Sequence, residues 1–133
     1  MKQICTTIEQ SKKLLNLGIS TDTSDMSIWK QTKDWKGKTI ERRMQIDATP
    51  LNELSHIIIG FEEFEEYPAW SLGALIRLMP AKIDTFEMFF FEFRHQSIAY
   101  LNEWKLLHAE EGEDFFINSI NMLEWLIKEN HIK

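Results

Sequence analysis

Two prolines, Pro68 and Pro80, enclose the segment that most constrains how this chain can fold. Proline is tolerated in the first turn of a helix but stops one further along, because it has no backbone N–H. The residues between the prolines are mainly apolar, so the bracket predicts a short helix. Trp70, Leu75 and Met79 leave this helix little polar surface. We therefore predict that it is buried in the core, with Trp70 as its largest anchor.

The length and composition indicate one soluble globular domain. A chain of 133 residues can bury about two-thirds of its extended surface, and 44% hydrophobic with 27% charged residues is ordinary for such proteins. No long uncharged apolar run is present, so no membrane span is expected. The first residues lack the apolar core of an export signal. Cys5 is the only cysteine, which excludes an internal disulfide and favours the cytoplasm.

The first half of the chain predicts a helix and a β-hairpin. Thr6 and Glu9 match a capping box that starts the first helix, and Gly18 ends it. Residues 27–47 then contain two strand-like stretches around a turn at Trp35–Lys38, which predicts a hairpin. Thr49 and Pro50 open a short helix that extends to Ile58. The acidic-aromatic residues 61–67 are interpreted as a connector.

Beyond Pro80 the pattern of apolar residues changes to the period of a strand. In residues 85–93, Phe86, Met88 and Phe90 lie on one face and Phe89, Phe91 and Phe93 on the other. Apolar residues on both faces predict a central strand that is covered on both sides. Residues 97–101 and 104–109 follow as two further strands, so the chain predicts an antiparallel meander over about 85–109.

The last helix completes the predicted architecture. Asp114 is positioned to cap a helix over residues 115–128, which carries a wide apolar stripe. Such a stripe has to be buried against another layer. We predict an α+β fold in which N-terminal, central and C-terminal helices pack on the meander, with an additional hairpin at 27–47. The whole chain, residues 1–133, is expected to be a single domain.

The charge is distributed unevenly along the chain. The formal net charge of −6 argues against a general nucleic-acid binder, because phosphates favour positive surfaces. Between Lys30 and Arg43, however, six basic residues stand against two acidic ones. The densest acidic cluster is the run Glu62–Glu66, which is typical of a solvated face. A catalytic carboxylate pair within this run is the alternative.

No pattern in the sequence indicates catalysis. The four histidines are scattered, and His108 with Glu110 and Glu111 comes nearest to a metal-ligand set. A strand-end histidine beside a solvated acidic loop explains that group more simply. Cys5 precedes a helix, where the dipole can activate a thiol, but an inert buried cysteine is the simpler interpretation. The glycines are too far apart for a phosphate-binding loop. We predict no catalytic residues, no metal, no cofactor and no enzyme activity.

The basic-aromatic hairpin, residues 29–43, is the strongest candidate for a binding site. Aromatic faces that stack on bases, flanked by cations that contact phosphates, are typical of single-strand binding. Half-buried packing of the tryptophans is the alternative, as is the use of lysines to keep an exposed sheet edge from aggregating. The candidate partner-binding residues are Trp29, Lys33, Trp35, Lys36, Lys38, Arg42 and Arg43.

Three stretches of the chain resemble a known family. They are residues 5–26 (Cys5-Thr6-Thr7-Ile8-Glu9 through Leu17-Gly18-Ile19 to Ser24-Asp25-Met26), Pro68–Leu75, and Met122-Leu123-Glu124-Trp125-Leu126. Together they resemble a family of short uncharacterised proteins encoded by Bacteroides-type gut bacteria and their phages or mobile elements. The resemblance implies a setting and an order of elements, and it carries no functional residue. The segment 29–67 departs from the family pattern.

Two functions are compatible with these features. The first is a small, non-catalytic cytoplasmic accessory protein of phage or mobile-element type that acts by protein–protein interaction. The second is a nucleic-acid-binding module that uses the basic-aromatic hairpin. Salt-dependent binding of a single strand distinguishes the second from the first. We expect an unknown protein partner and no membrane association, and the sequence leaves the oligomeric state open.

Overall fold

The structure is a computed structural model that describes residues 2–40, 44–51 and 60–132. Within these residues the helices are α1 (Ile8–Asn16), α2 (Leu72–Arg77) and α3 (Phe115–Lys128). The strands are β1 (Met26–Lys33), β2 (Met44–Asp47), β3 (Glu63–Ala69), β4 (Lys82–Asp84), β5 (Met88–Arg94), β6 (Ser97–Leu101) and β7 (Leu106–Glu111). The chain divides into two compact units, Met1–Ser71 and Leu72–Lys133.

The first unit contains a three-stranded antiparallel sheet in the order β2-β1-β3. Ile28 of β1 lies opposite Ile46 of β2 and Tyr67 of β3. On this face Ile28 and Ala69 are buried together with Cys5. Ile8, Met26 and Tyr67 are half-buried around them. The hairpin predicted over 27–47 is confirmed as the β1–β2 pair.

The capping box of α1 is shifted by one residue from the predicted one. The Thr7 hydroxyl accepts from the backbone N–H of Gln10 at 3.1 Å, and the Gln10 side chain accepts from that of Thr7 at 3.0 Å. Thr6 is buried instead, where its hydroxyl bonds the Ser11 hydroxyl at 2.8 Å and accepts from the Trp70 N–H at 3.1 Å. The helix therefore starts at Ile8, one residue later than the predicted capping box implies, and Thr6 anchors the segment before it to the core.

Trp70 is the buried anchor of the first unit, as the sequence predicts. Its side chain has no exposed surface, and its indole N–H donates to the Thr23 hydroxyl at 2.9 Å. Its backbone carbonyl accepts from the Thr6 N–H at 2.9 Å. A tryptophan buried in this way keeps its polar edge satisfied while it fills the core.

The segment before Trp70 differs from the prediction. Residues 61–67 were expected to be a connector, and Pro68 was expected to start a helix, but Glu63–Ala69 is strand β3, paired with β1. The helix α2 begins later, at Leu72. Four glutamates within five residues hide the strand period, and the residues of β1 that pair with β3 lie thirty or more positions earlier in the chain.

The second unit contains a four-stranded antiparallel sheet in the order β4-β5-β6-β7. The predicted meander is confirmed by the strands β5, β6 and β7. The sequence did not predict the short strand β4, in which Ile83 pairs with Phe89. A register shift between Tyr100 and Leu101 places Leu101 opposite Leu106.

The helix α3 packs on β6 and β7, and α2 contacts α3. Asp114 caps α3 as predicted, accepting from the N–H groups of Phe116 at 2.9 Å and Ile117 at 3.1 Å. Leu123 and Leu126 of the helix are fully buried, as is Tyr100 of β6. The Tyr100 hydroxyl donates to the Pro80 carbonyl at 2.6 Å, and burial raises the pKa of this tyrosine. The α+β class with a helix-packed antiparallel meander is thus confirmed.

Two further predictions are not tested by the structure. The helix predicted from Thr49 to Ile58 lies, beyond Leu51, outside the described residues. The assignment of residues 1–133 to a single domain stays a prediction.

Candidate functional site

The basic strand of the predicted hairpin pairs with the acidic strand β3. Lys30 lies opposite Glu65, and Lys33 lies opposite Glu63. The Lys33 ammonium is 3.2 Å from the Glu63 carboxylate. Opposite charges on neighbouring strands stabilise a sheet modestly and neutralise each other. The two charge runs that stand apart in the sequence therefore meet in the structure.

Three of the predicted residues, Trp35, Lys36 and Lys38, are exposed together at the turn after β1. Trp35 is 57% exposed, and the Lys36 ammonium lies 4.9 Å from the centre of its ring. The Asp34 carboxylate accepts from the N–H groups of Lys36 and Lys38, both at 2.9 Å, and so shapes the turn. This is where a cation and an aromatic face are presented to solvent.

A second segment holds this turn in place. The N–H of Phe61 donates to the Trp35 carbonyl at 2.9 Å. A Cβ added at Gly60, whose φ is +60°, would lie 2.4 Å from the same carbonyl oxygen. The backbone approach thus requires glycine. A cleft of about 440 Å³ beside the turn is lined by both signs of charge: Lys33, Lys36, Gly37, Phe61, Glu62 and Glu63.

Trp29 does not join the exposed turn. Its half-buried indole donates to the Asp47 carboxylate at 2.6 Å and meets the Phe64 ring edge-on, with 5.0 Å between the ring centres. These contacts tie β1 to β2 and β3, so Trp29 packs the sheet. Arg42 and Arg43 lie outside the described residues.

The acidic run 62–66 makes contacts within the first unit. The Glu62 carboxylate accepts from the Gln31 amide at 2.8 Å, and that of Glu65 accepts from the Tyr67 hydroxyl at 2.5 Å. The hydrogen bond to Glu65 raises the pKa of Tyr67. Glu63–Glu66 is therefore part of strand β3. The carboxylates of Glu62 and Glu63 bind side chains of β1, and that of Glu65 binds Tyr67 within β3.

The two faces of the second sheet differ in what covers them. Phe91, Tyr100 and His108 form one row across three strands, and the His108 ring stacks on Trp125 of α3 with 4.3 Å between ring centres. Phe93 stacks on Phe115 of the same helix. Because side chains alternate along a strand, the neighbouring residue Phe90 points to the opposite, outer face.

The outer face carries an exposed apolar row. Phe90, Leu101 and Leu106 lie opposite one another on β5, β6 and β7. Phe90 is 53% exposed and Leu106 is 58% exposed, although a prediction from the sequence had both faces of β5 covered. That prediction is wrong for the outer face, because Met88 and Phe90 are exposed there whereas Phe89 on the other face is buried. Apolar residues on both faces of a strand do not show what packs against either face, because the covering layer comes from other parts of the chain.

Two turns at the same end of the sheet extend this row. Phe86 in the β4–β5 turn is fully exposed, and Trp104 in the β6–β7 turn is 85% exposed. The turns are joined by an ion pair between Lys105 and Glu87, 3.1 Å apart. We define the apolar end of the meander by its exposed members: Phe86, Met88, Phe90, Trp104 and Leu106.

The sequence contains a partial signal for this surface. Phe86, Met88 and Phe90 alternate with polar and apolar residues as expected for one strand face. Trp104, however, was predicted to begin the third strand, whereas the strand begins at Leu106 and Trp104 lies in the turn. No sequence pattern identified Leu106 as exposed, because that depends on the register shift between β6 and β7.

The first unit also contains an apolar groove of about 510 Å³ beside the start of α1. Its apolar lining includes Ile4, Cys5, Ile8, Ile28, Met44 and Ile46. Burial, and to a lesser extent the charge of Asp25, raises the pKa of the Cys5 thiol. A raised pKa lowers the thiolate fraction, so this cysteine is poorly suited to nucleophilic chemistry.

Among the residues that the structure describes, no three His, Cys, Asp or Glu side chains come together in a way that could hold a metal ion. His108 bonds Glu110 and stacks on Trp125, so it joins β7 to α3. Also within the described residues, no helix has the length and apolar content needed to cross a membrane. Comparison with protein-family models, curated proteins and solved structures found no match to this chain.

Proposed function

We propose that this chain is a non-catalytic accessory protein that acts by protein–protein interaction, and that the apolar end of the meander is its contact surface. The observation that carries the proposal is the full exposure of Phe86 and the 85% exposure of Trp104 on adjacent turns. Large apolar side chains are costly to leave in water, and their clustering at one place marks an interaction site.

The size of the surface supports this proposal. An aromatic side chain buries about 150–250 Å² when it is covered, so Phe86 and Trp104 together offer roughly 350 Å² of apolar area. Phe90 and Leu106, each about half exposed, add to it. Tryptophan is also the residue most enriched among interface positions that dominate binding energy.

The lone buried cysteine and the family resemblance suggest the setting. A free thiol is common in a reducing compartment, so we place the protein in the cytoplasm. The resemblance to proteins of gut bacteria and their phages or mobile elements suggests that the partner is a protein of such a cell.

Site-specific photo-crosslinking tests this proposal. Benzoylphenylalanine in place of Trp104 is expected to give a discrete protein adduct in the native cell, identified by mass spectrometry. The matched control carries the same crosslinker at Ile117, a half-exposed residue of α3. An adduct at position 104 that is absent at 117 and suppressed by Phe86→Ser supports the proposal. Equal or absent labelling at the two positions contradicts it.

The exposed turn at Trp35 favours a second candidate function, the binding of single-stranded nucleic acid. Trp35 offers a ring for base stacking, and Lys36 and Lys38 offer cations for phosphates. The pairing of Lys33 with Glu63 and the nearby carboxylates weaken this candidate. Fluorescence anisotropy with a labelled oligonucleotide over a salt series tests it.

A further inference from the structure

We infer that the partner which the apolar end of the meander fits is a second copy of this chain, an inference that rests on the proposed function. The observation behind it is the arrangement of the exposed aromatic residues in the two turns and of the charges beside them at this end of the second sheet. In a two-fold symmetric dimer the same patch serves both copies, so the patch must be complementary to itself.

The aromatic residues meet this requirement. The β4–β5 and β6–β7 turns lie at the same end of the sheet, with β5 and β6 between them. Consider a two-fold axis that lies in the plane of the interface and runs parallel to the strands. It places the β4 side of one copy over the β7 side of the other, and each residue stays at the same height along the strands. Phe86 of one copy then comes to the level of Trp104 in the other, and Trp104 to that of Phe86.

The charged residues meet it as well. Lys82 and Asp84 lie on the outer face at the β4 side, opposite Phe90 and Met88 in register. Glu103 and Lys105 lie in the turn on the other side. Lys105 is also paired with Glu87 of its own chain at 3.1 Å. The same axis brings Asp84 to the level of this pair in the second copy, so the Lys105 ammonium has unlike charge on both sides of the contact. The charges at this end of the sheet are therefore complementary to the same charges on a second copy.

A membrane and a nucleic acid fit this border less well. Three carboxylates, Asp84, Glu87 and Glu103, accompany two ammonium groups, Lys82 and Lys105. Anionic lipid headgroups and phosphates favour a clear excess of positive charge, which this end of the sheet lacks.

The area agrees with a dimer that forms reversibly. A stable interface buries about 800 Å² on each partner, and the two turn aromatics supply roughly 350 Å² of that. Phe90, Leu106 and the charged border enlarge the contact. Towards the other end of β5 the outer face carries the ion pair of Arg94 with Glu92 at 2.8 Å, and a two-fold contact between identical patches closes at two copies.

Sedimentation velocity of the full chain over a series of micromolar concentrations tests this inference. The wild type is expected to pass from monomer to dimer. Phe86→Ser and Trp104→Ser are each expected to raise the dimer Kd about 30-fold or more, as at interface positions that dominate binding. Ile117→Ser is the matched control and should leave the Kd unchanged. Both mutated aromatics are solvent-exposed in turns, and circular dichroism verifies that each variant is folded.

A charge exchange makes the test specific for the proposed axis. Asp84→Lys should weaken the dimer by opposing Lys105 of the second copy. Mixing the Asp84→Lys chain with a Lys105→Glu chain should then give a heterodimer that forms more readily than either homodimer. A dimer that none of these substitutions affects overturns the inference.

Two further outcomes overturn the dimer inference, and they differ in what they imply for the proposed function. A wild type that stays monomeric while position 104 crosslinks to a different protein rejects the second copy and leaves the proposed function standing. A monomer that co-sediments with phosphatidylcholine vesicles in a Trp104-dependent manner rejects both and identifies a membrane contact. A dimer together with an absent heterologous adduct supports the inference.

Discussion

The basic-aromatic turn of the first unit and the apolar end of the meander in the second unit are both exposed, but they become so for opposite reasons. In the first unit the charges of β1 are largely matched by the glutamates of β3, and Trp35, Lys36 and Lys38 are the exposed members among the predicted partner-binding residues that the structure describes. In the second unit the pairing of strands lines up Phe90, Leu101 and Leu106 on the outer face, where Phe90 and Leu106 stay exposed.

A run of charged residues and a run of apolar residues therefore have to be interpreted together with the strands that pair beside them. A run of charge is conspicuous in a sequence, yet a neighbouring strand of opposite charge neutralises it, as Glu63 does for Lys33. A run of apolar residues suggests a core, yet one of its faces can stay in water, as that of Phe90 does. Strand pairing neutralises the charged run of the first unit, and it assembles the exposed apolar row of the second unit.

The largest expected effect separates the core tryptophan of the first unit from its surface tryptophan. Trp70→Ala should lower the free energy of unfolding by about 3–5 kcal/mol, because the side chain is fully buried. Trp35→Ala should lower it by less than about 0.5 kcal/mol, because the ring is mostly in solvent. Chemical denaturation measures both. A loss below about 1 kcal/mol for Trp70→Ala would contradict its role as core anchor.

The next effect tests the asymmetry of β5 with two adjacent phenylalanines. Phe89 is buried and Phe90 is half exposed on the outer face. Phe89→Ala should cost about 3 kcal/mol or more of unfolding free energy, and Phe90→Ala about 1 kcal/mol or less. Denaturation in the monomer concentration range gives both values. Equal losses of unfolding free energy would show that the outer face of β5 is also covered, and this would contradict an exposed apolar face in the second unit.

A smaller effect tests the neutralisation of charge in the first sheet. Lys33→Glu places a carboxylate opposite Glu63 and should destabilise the protein by about 0.5–1 kcal/mol. Lys36→Glu has the same change of charge at the exposed turn and should change stability by less than about 0.5 kcal/mol. Thermal denaturation at low and high salt compares them. Salt should reduce the loss in Lys33→Glu, and an equal response of both variants would reject the cross-strand pair.

The smallest expected effect concerns nucleic acid. Because carboxylates surround the turn, we expect the wild type to bind a short single strand weakly, with little change in the triple variant Lys33→Gln, Lys36→Gln and Lys38→Gln. Anisotropy between about 50 and 200 mM salt measures this. Tight binding by the wild type that falls steeply with salt and is lost in the triple variant would prove the turn functional. Trp35→Ala should then cost about 1–3 kcal/mol of binding energy.

The elements that could be predicted from the sequence are those specified by near neighbours. The start of α3 depends on Asp114, whose carboxylate reaches N–H groups two and three residues away. The hairpin of β1 and β2 and the strands of the meander follow from short-range alternation and turn residues. Strand β3 was missed because its stabilising partner, β1, is distant in the chain.

Of the candidate site, the residues of the turn could be predicted, whereas the apolar end could be predicted only in part. Trp35, Lys36 and Lys38 lie within four residues of one another, and their exposure follows from a local turn. Phe86 and Trp104 are eighteen positions apart, and they come to the same end of the sheet only through the order β4-β5-β6-β7.

Local patterns in the sequence specify the α+β class, the positions of α1 and α3, the antiparallel meander and the burial of Trp70, because periodicity, capping and size act over a few residues. Which charges neutralise each other and which face of β5 stays in water depend on the tertiary structure. Strand register and layer packing are set by contacts between distant parts of the chain, and no local pattern contains them.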